Sequence, residues 1–245
     1  MKKSKFSIKS LTKQQRTLRK RILEISHASR FSHLGSCFSA IDAIDSVYQV
    51  KKPGDLFVLS NGHAGVAYYT VLEAYGLIPD KKITQTLGVH PDRNPKIGIH
   101  VSTGSLGQGL PIALGMAIGL PKHRIFCMLS DGECAEGSIW EAVRVATEKK
   151  IINLPMIVIA NGWGAYDAID TRLLAKRFAA FGCMITPVDG HNQKKIIAAL
   201  RKKTKKVHVV FAKTTVEQFS FLNALDAHYY VMKDADYQKA LKQLL

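Results

Sequence analysis

Asp131 and Asn161 are the residues of this 245-residue sequence whose types and spacing point most directly to chemistry. Each follows a short apolar run, Arg124 to Leu129 for the first and Leu154 to Ala160 for the second. A carboxylate and an amide oxygen are hard donors that suit Mg²⁺ or Ca²⁺. Gly132 comes next to Asp131 at the approach to a helix, where free N–H groups and the helix dipole stabilise phosphate. Together the three are what a divalent cation bridging a diphosphate requires. Taken alone, Asp131 reads equally well as a helix N-cap and Asn161 as a turn residue. Their pairing 30 positions apart, at the ends of neighbouring strands, favours a site. A third polar strand end carries His63, in Ser60-Asn61-Gly62-His63.

These turns need a frame that brings them together. Asp55–Leu59, Arg124–Leu129, Leu154–Ala160, Met184–Val188 and Val207–Ala212 are apolar runs of strand length. Between them lie helical patterns at Ala64–Tyr75, Gly107–Leu120, Ser138–Lys149, Thr171–Phe181 and Asn192–Lys203. Two helices come first: one with Leu11, Leu18, Ile22 and Ile25 near one face, and one opened by Ser39 as N-cap. Gly107–Leu120 is small and apolar all round, which predicts a core helix. Buried strands alternating with helices imply an α/β fold, a parallel sheet with helices on both faces. In such a sheet ligands bind outside the carboxyl ends of the strands.

The motifs at these strand ends resemble the transketolase family of thiamine diphosphate enzymes. Ser130-Asp131-Gly132-Glu133, followed by Asn161, resembles the GDG-to-Asn thiamine diphosphate motif. Ordered around it are Ser32-His33-Leu34-Gly35-Ser36, Phe57-Val58-Leu59-Ser60-Asn61-Gly62-His63-Ala64, Val89-His90-Pro91 and Ser102-Thr103-Gly104-Ser105-Leu106-Gly107-Gln108-Gly109. Glu136-Gly137 and Trp140-Glu141-Ala142 are also transketolase-like, and the resemblance runs from about Leu18 to Asn192.

The resemblance implies a thiamine diphosphate-binding fold and a role for each matching residue. Asp131, Asn161 and the main-chain carbonyl of Trp163 would coordinate Mg²⁺ (or Ca²⁺). The Gly132 amide and His63 would hold the diphosphate, and Gly104 and Leu106 would contact the aminopyrimidine. His33 and His90 would face the substrate's hydroxyls and reacting carbon, and Glu136 would sit at the subunit interface. The implied reaction moves a two-carbon ketol unit between ketose and aldose sugar phosphates.

Several positions depart from the family pattern. Ser130 replaces the first Gly of GDG, and Trp163 stands where a smaller aliphatic residue is usual. Gly164-Ala165-Tyr166-Asp167-Ala168 replaces an Ile-Asp-Gly. After Val216 the expected glycines are missing, and His228 is the one candidate for a further diphosphate-contacting His. The sequence divides into a basic tail (1–10), the diphosphate-binding domain (11–216) and an appended segment (217–245). No segment resembles the pyrimidine-binding and C-terminal domains of a transketolase. The expectation is therefore the N-terminal subunit of a split transketolase, working only with a C-terminal subunit, in an assembly of two copies of each chain. A transketolase-like binding protein without activity, or a subunit of another thiamine diphosphate enzyme, stays open as an alternative.

Bulk properties bound the rest. Lys and Arg total 35 against 19 Asp and Glu, a formal charge of +16. The basic residues are spread out, densest at Lys2–Lys5 and Arg201–Lys206, and no nucleic-acid signature accompanies them. A solvated basic face, or one that meets an acidic partner, is the expectation. Apolar runs fall short of the ~18 residues of a membrane span. Cys37, Cys127, Cys134 and Cys183 form neither a CxxC pair nor a zinc spacing, which fits reduced thiols in the cytoplasm.

Overall fold

Successive residues along each strand are apolar because both faces of the sheet are covered. In the computed structural model, which describes residues 6–245, five strands form one parallel sheet: β1 (Leu56–Leu59), β2 (Ile125–Ser130), β3 (Met156–Ala160), β4 (Met184–Asp189) and β5 (His208–Lys213). Their order is β1-β2-β3-β5-β4. The helices are α1 (Lys13–Ser29), α2 (Leu34–Val50), α3 (Gly65–Ala74), α4 (Ile83–Thr86), α5 (Gly109–Gly119), α6 (Gly137–Glu148), α7 (Thr171–Ala180), α8 (Gln193–Leu200) and α9 (Asp234–Gln243). Phe57, Phe126, Met128, Ile157 and Val210 face one way and join the buried residues of α1, α2, α3 and α8. Val58, Cys127, Leu129, Val158 and Phe211 face the other way and join α5, α6 and α7. The expected α/β sheet with helices on both faces is thus the observed one. The Lys2–Lys5 cluster lies outside the described residues.

Register places the polar turns side by side. Ser130 of β2 pairs with Ile159 of β3, and the Asp131 N–H donates to the Ile159 carbonyl at 3.0 Å. Asp131 and Asn161 therefore stand at adjacent strand ends, as their spacing predicts. The cap of α1 is a reciprocal pair: the Gln15 N–H donates to Thr12 Oγ1, and the Thr12 N–H donates to Gln15 Oε1.

Two helix expectations need correction. The second helix starts at Leu34, five residues before Ser39, with His33 at its N-cap. Ser39 is interior and its hydroxyl donates to the Gly35 carbonyl at 2.7 Å. Gly35 lies inside this helix and is small because the later chain presses on it. A Cβ there would lie 2.9 Å from the Ala227 Cβ. The helix α5 is not core all round. Leu110, Ala113, Leu114 and Ala117 are buried, but Ile112 and Ile118 are 40% and 49% exposed. An apolar pattern says that a face needs cover, not that the same chain supplies it.

The segment after β5 folds back over α2. Val216, Phe219, Leu222, Ala227 and Met232 join the core on that side, and α9 packs against α1. All four cysteines are buried and unbonded. No helix among the described residues is long and apolar enough to cross a membrane.

Candidate active site

The strand-end turns enclose a cavity of about 230 Å³. Among its lining residues are His33, His63, His90, His228, Gly104, Leu106, Gly132, Asn161 and Trp163. Asp131 is buried directly beneath the Gly132 turn and is 2% exposed. Its Oδ1 accepts the Gly132 N–H at 3.1 Å and its Oδ2 accepts the Gly162 N–H at 2.7 Å. The Asn161 Oδ1 accepts the Trp163 N–H at 2.9 Å. The two structural roles open in the sequence, a cap and a turn residue, are therefore both filled. They do not exhaust the oxygens, because each carboxylate oxygen has a second lone pair.

The four histidines form one group. The His33 ring centroid lies 4.6 Å from that of His228, 5.7 Å from His63 and 6.1 Å from His90. His33 sits at the α2 N-cap with φ +67°, a left-handed conformation that costs a non-glycine residue about 1 kcal/mol. Its N–H donates to the His228 carbonyl at 2.9 Å, which ties the first helix pair to the last segment. The segment after Val216 lacks the family's glycines but still delivers His228 to the cavity. Glu136 is not brought there: it is exposed at the start of α6, with its side chain packed on Gly107.

Two further groups belong to the site, and the sequence does not single them out. Glu133 is fully buried and lines the cavity. Its Oε1 accepts the Ser60 hydroxyl at 2.6 Å and the Gly107 N–H at 2.9 Å. Asn61 is 1% exposed, lines the cavity, and its Oδ1 has no hydrogen-bond partner. Both stand inside the motifs, within two residues of a site candidate, and only packing shows that they turn inward.

The donor set fits a magnesium diphosphate. One buried carboxylate, one amide oxygen and the Trp163 carbonyl are hard ligands, and Gly132 leaves room for close approach of backbone. A Cβ at Gly132 would lie 3.1 Å from the Gly164 Cα and 3.6 Å from the Trp163 carbonyl oxygen. Unpartnered Asn61 Oδ1 is the kind of buried polar atom that a ligand or its water satisfies. Among the described residues no group of three or more His, Cys, Asp or Glu side chains is placed to hold a metal. An ion here would depend on backbone and amide oxygens as well as Asp131.

Burial sets the protonation states. It pushes Asp131 and Glu133 up to about 7 each, against the hydrogen bonds they accept. Burial, reinforced by the neighbouring imidazoles, lowers His33 to about 4 and His63 to about 3. The two pairs act oppositely on stability. Below pH 6.5 the unfolded chain protonates its histidines while folded His33 and His63 stay neutral, so each withdraws stability, about 2 kcal/mol by pH 5. Between pH 4 and 7 the unfolded chain ionises Asp131 and Glu133 while the folded chain keeps their protons, so each adds a similar amount on acidification. From pH 7 to 5 the contributions of these four groups therefore nearly offset one another. Asp131→Asn should uncover a loss of about 2 kcal/mol over that range. Urea midpoints at the two pH values check this, and parallel curves for both proteins would refute it.

The parallel sheet thus gathers an acid, an amide and neutral imidazoles at its carboxyl edge. The family description "Transketolase, thiamine diphosphate binding domain" matches residues 38–244, and the chain belongs to that family. It is 28% identical to an apulose-4-phosphate transketolase subunit from Actinobacillus succinogenes, over 98% of this chain and 97% of that protein. It is 34% identical to the transketolase of Pongo abelii over 78% of this chain, and spans only 35% of that protein's length. The crystal structure of transketolase from Campylobacter jejuni superposes with a TM-score of 0.83 at 25% identity, over 95% of this chain and 42% of that one.

Proposed function

We propose that this chain is the thiamine diphosphate-binding subunit of a split transketolase, working with a second chain that supplies the pyrimidine-binding and C-terminal domains. The observation that carries the reading is the near end-to-end match to a protein named as one subunit of a transketolase, together with a cavity that gathers the motif residues. Asp131, Asn161 and the Trp163 carbonyl would hold Mg²⁺. The Gly132 amide, with His63 and His228, would hold the diphosphate, and Gly104 and Leu106 would meet the aminopyrimidine. When bound, thiamine diphosphate supplies the carbon nucleophile that takes up the ketol unit.

The chain's own part is orientation and proton handling. His33 and His63 are neutral at pH 7, so each ring offers one N–H donor and one acceptor. Such rings suit sugar hydroxyls and can pass a proton without burying a charge. His90 sits at the exposed side of the group, where a substrate would arrive. Glu136, exposed beside Gly107, would meet the second copy or the partner chain. The uncovered α5 face, with Ile112 and Ile118, is a fitting contact for a second copy in a four-chain assembly.

The test is to co-express the chain with a candidate second chain that resembles the pyrimidine-binding and C-terminal domains of a transketolase, and to purify the complex. Ketol transfer to ribose 5-phosphate is then measured, with xylulose 5-phosphate and apulose 4-phosphate as alternative donors. The expected result is turnover that requires both chains and Mg²⁺. A well-formed complex that binds no thiamine diphosphate would refute the reading.

A further inference from the structure

Leu106 can meet a ligand ring only if its loop is held still. At one end Thr103 donates its N–H to the Pro91 carbonyl at 3.0 Å and its hydroxyl to the Leu59 carbonyl at 2.7 Å, and the other end depends on Gly107. The loop contains two glycines with positive φ, Gly104 at +150° and Gly107 at +83°. Glycine there is permissive by nature, so the loop's position must come from contacts. Two contacts fix Gly107, and both come from the chain that follows β2. Glu133 Oε1 accepts the Gly107 N–H at 2.9 Å, and the Ser138 hydroxyl donates to the Gly107 carbonyl at 2.7 Å. The peptide groups on both sides of Gly107 are thus gripped by side chains of a neighbouring turn.

The same carboxyl oxygen reaches a third turn. It accepts the Ser60 hydroxyl at 2.6 Å, at the end of β1. Space around Ser60 is tight: a Cβ on Gly109 would lie 2.4 Å from the Ser60 Oγ. Glu133 therefore joins the end of β1, the turn after β2 and the loop before α5. Those three segments carry His63, Gly132 and Leu106. Glu133 is itself held by its backbone, whose N–H donates to the Ser130 Oγ at 3.1 Å. That bond gives Ser130 a use: a glycine at this position could not make it.

We infer that Glu133 is a positioning residue of the cofactor site, which through Gly107 and Ser60 sets the loop that carries Leu106 against the turns that carry Gly132 and His63. The inference rests on the thiamine diphosphate reading of the cavity, but the clamp itself is a property of the chain alone. A carboxylate suits the task because one oxygen accepts two donors, where an aliphatic chain could accept none.

Two measurements test it. The first is hydrogen–deuterium exchange of the chain without ligand, read on peptides covering residues 103–110. Glu133→Ala should speed exchange of the Gly107 amide by about 10-fold or more, while protection in β3 and β5 stays as in wild type. Glu133→Gln keeps an acceptor oxygen for both donors and should restore most of that protection. Ser60→Ala removes one arm and should act in the same direction more weakly. The second is calorimetric titration of thiamine diphosphate with Mg²⁺ into the chain assembled with its partner. Glu133→Ala should weaken affinity by about 10-fold or more, and Glu133→Gln by a few-fold. Unchanged Gly107 exchange in Glu133→Ala would overturn the inference. So would unchanged affinity in a variant whose loop has loosened. Absence of binding by the wild-type complex would instead sink the functional reading, and the exchange arm would still decide the clamp. Should Glu133→Ala fail to fold, Ser60→Ala and Ser138→Ala carry the same comparison.

Discussion

Asp131→Asn is expected to weaken magnesium-dependent thiamine diphosphate binding by about 100-fold in the chain assembled with its proposed partner, while making the ligand-free chain harder to unfold at pH 7.5. The two effects share one cause. Asp131 is 2% exposed, and burial raises its carboxyl to about 7, so at pH 7.5 the fold carries a charge it has not fully compensated. Its two backbone partners, Gly132 and Gly162, offset part of that cost. An asparagine has no charge to desolvate but turns an N–H₂ toward one of those N–H groups. The balance favours the variant by about 1 kcal/mol. A divalent cation favours the charged carboxylate and reverses the order. Ligand-free and loaded unfolding midpoints should therefore cross between the two proteins. Calorimetric titration and urea unfolding, each with and without Mg²⁺ and cofactor, measure this. Equal affinities would remove Asp131 from the metal assignment. Such a residue, costly until its ligand arrives, is expected where function rather than folding selects the side chain.

The parts of the fold legible in the sequence are those governed by local pattern. Apolar runs of strand length, ending in Ser60, Asp131 and Asn161, place the sheet and its functional edge because burial on both faces leaves no other reading. Spacing alone puts Asp131 and Asn161 at strand ends, and the β2–β3 register makes those ends neighbours. What the sequence hides is long-range. Ser39 resembles a cap in sequence, and only the contact of Gly35 with Ala227 explains why the helix turn before it carries a residue as small as glycine. The outer face of α5 resembles core because hydrophobicity does not state which chain covers it. The direction of a side chain beside a motif is equally hidden. Glu133 turns in to Ser60 and Gly107, whereas Glu136, three residues on, stays exposed. His228 stands in a segment without its family's glycines, and only the tertiary path of residues 217–228 brings it to His33.

That path is held by charge buried far from solvent, and its removal should have the largest effect on stability. Arg19 and Asp42 are both fully buried and form a bidentate pair, with Nη1 3.0 Å from Oδ1 and Nη2 2.6 Å from Oδ2. Gln15 and His191 each add a hydrogen bond to the carboxylate, at 2.9 and 3.0 Å. Burial alone would raise Asp42, but Arg19 and His191 outweigh it and hold the carboxyl well below the usual range. The Thr215 N–H donates to His191 Nε2, which leaves the proton on Nδ1, facing Asp42. Arg19 also donates to Gln218 Oε1, and Gln218 donates to the Phe38 carbonyl, so the network anchors the chain just before it turns toward His228. Asp42→Leu leaves the Arg19 charge buried without its counter-ion, and a loss of about 3–5 kcal/mol is expected. Arg19→Met strands Asp42 and should cost about as much. The double variant Arg19→Met/Asp42→Leu removes both charges and should be more stable than either single variant, because an apolar pair has no charge to desolvate. Urea midpoints of the four proteins form the cycle. Additive losses would show that the pair is not coupled. If instead the double variant folds firmly yet still binds thiamine diphosphate poorly with its partner, the ion pair serves the placement of His228 more than the stability of the core.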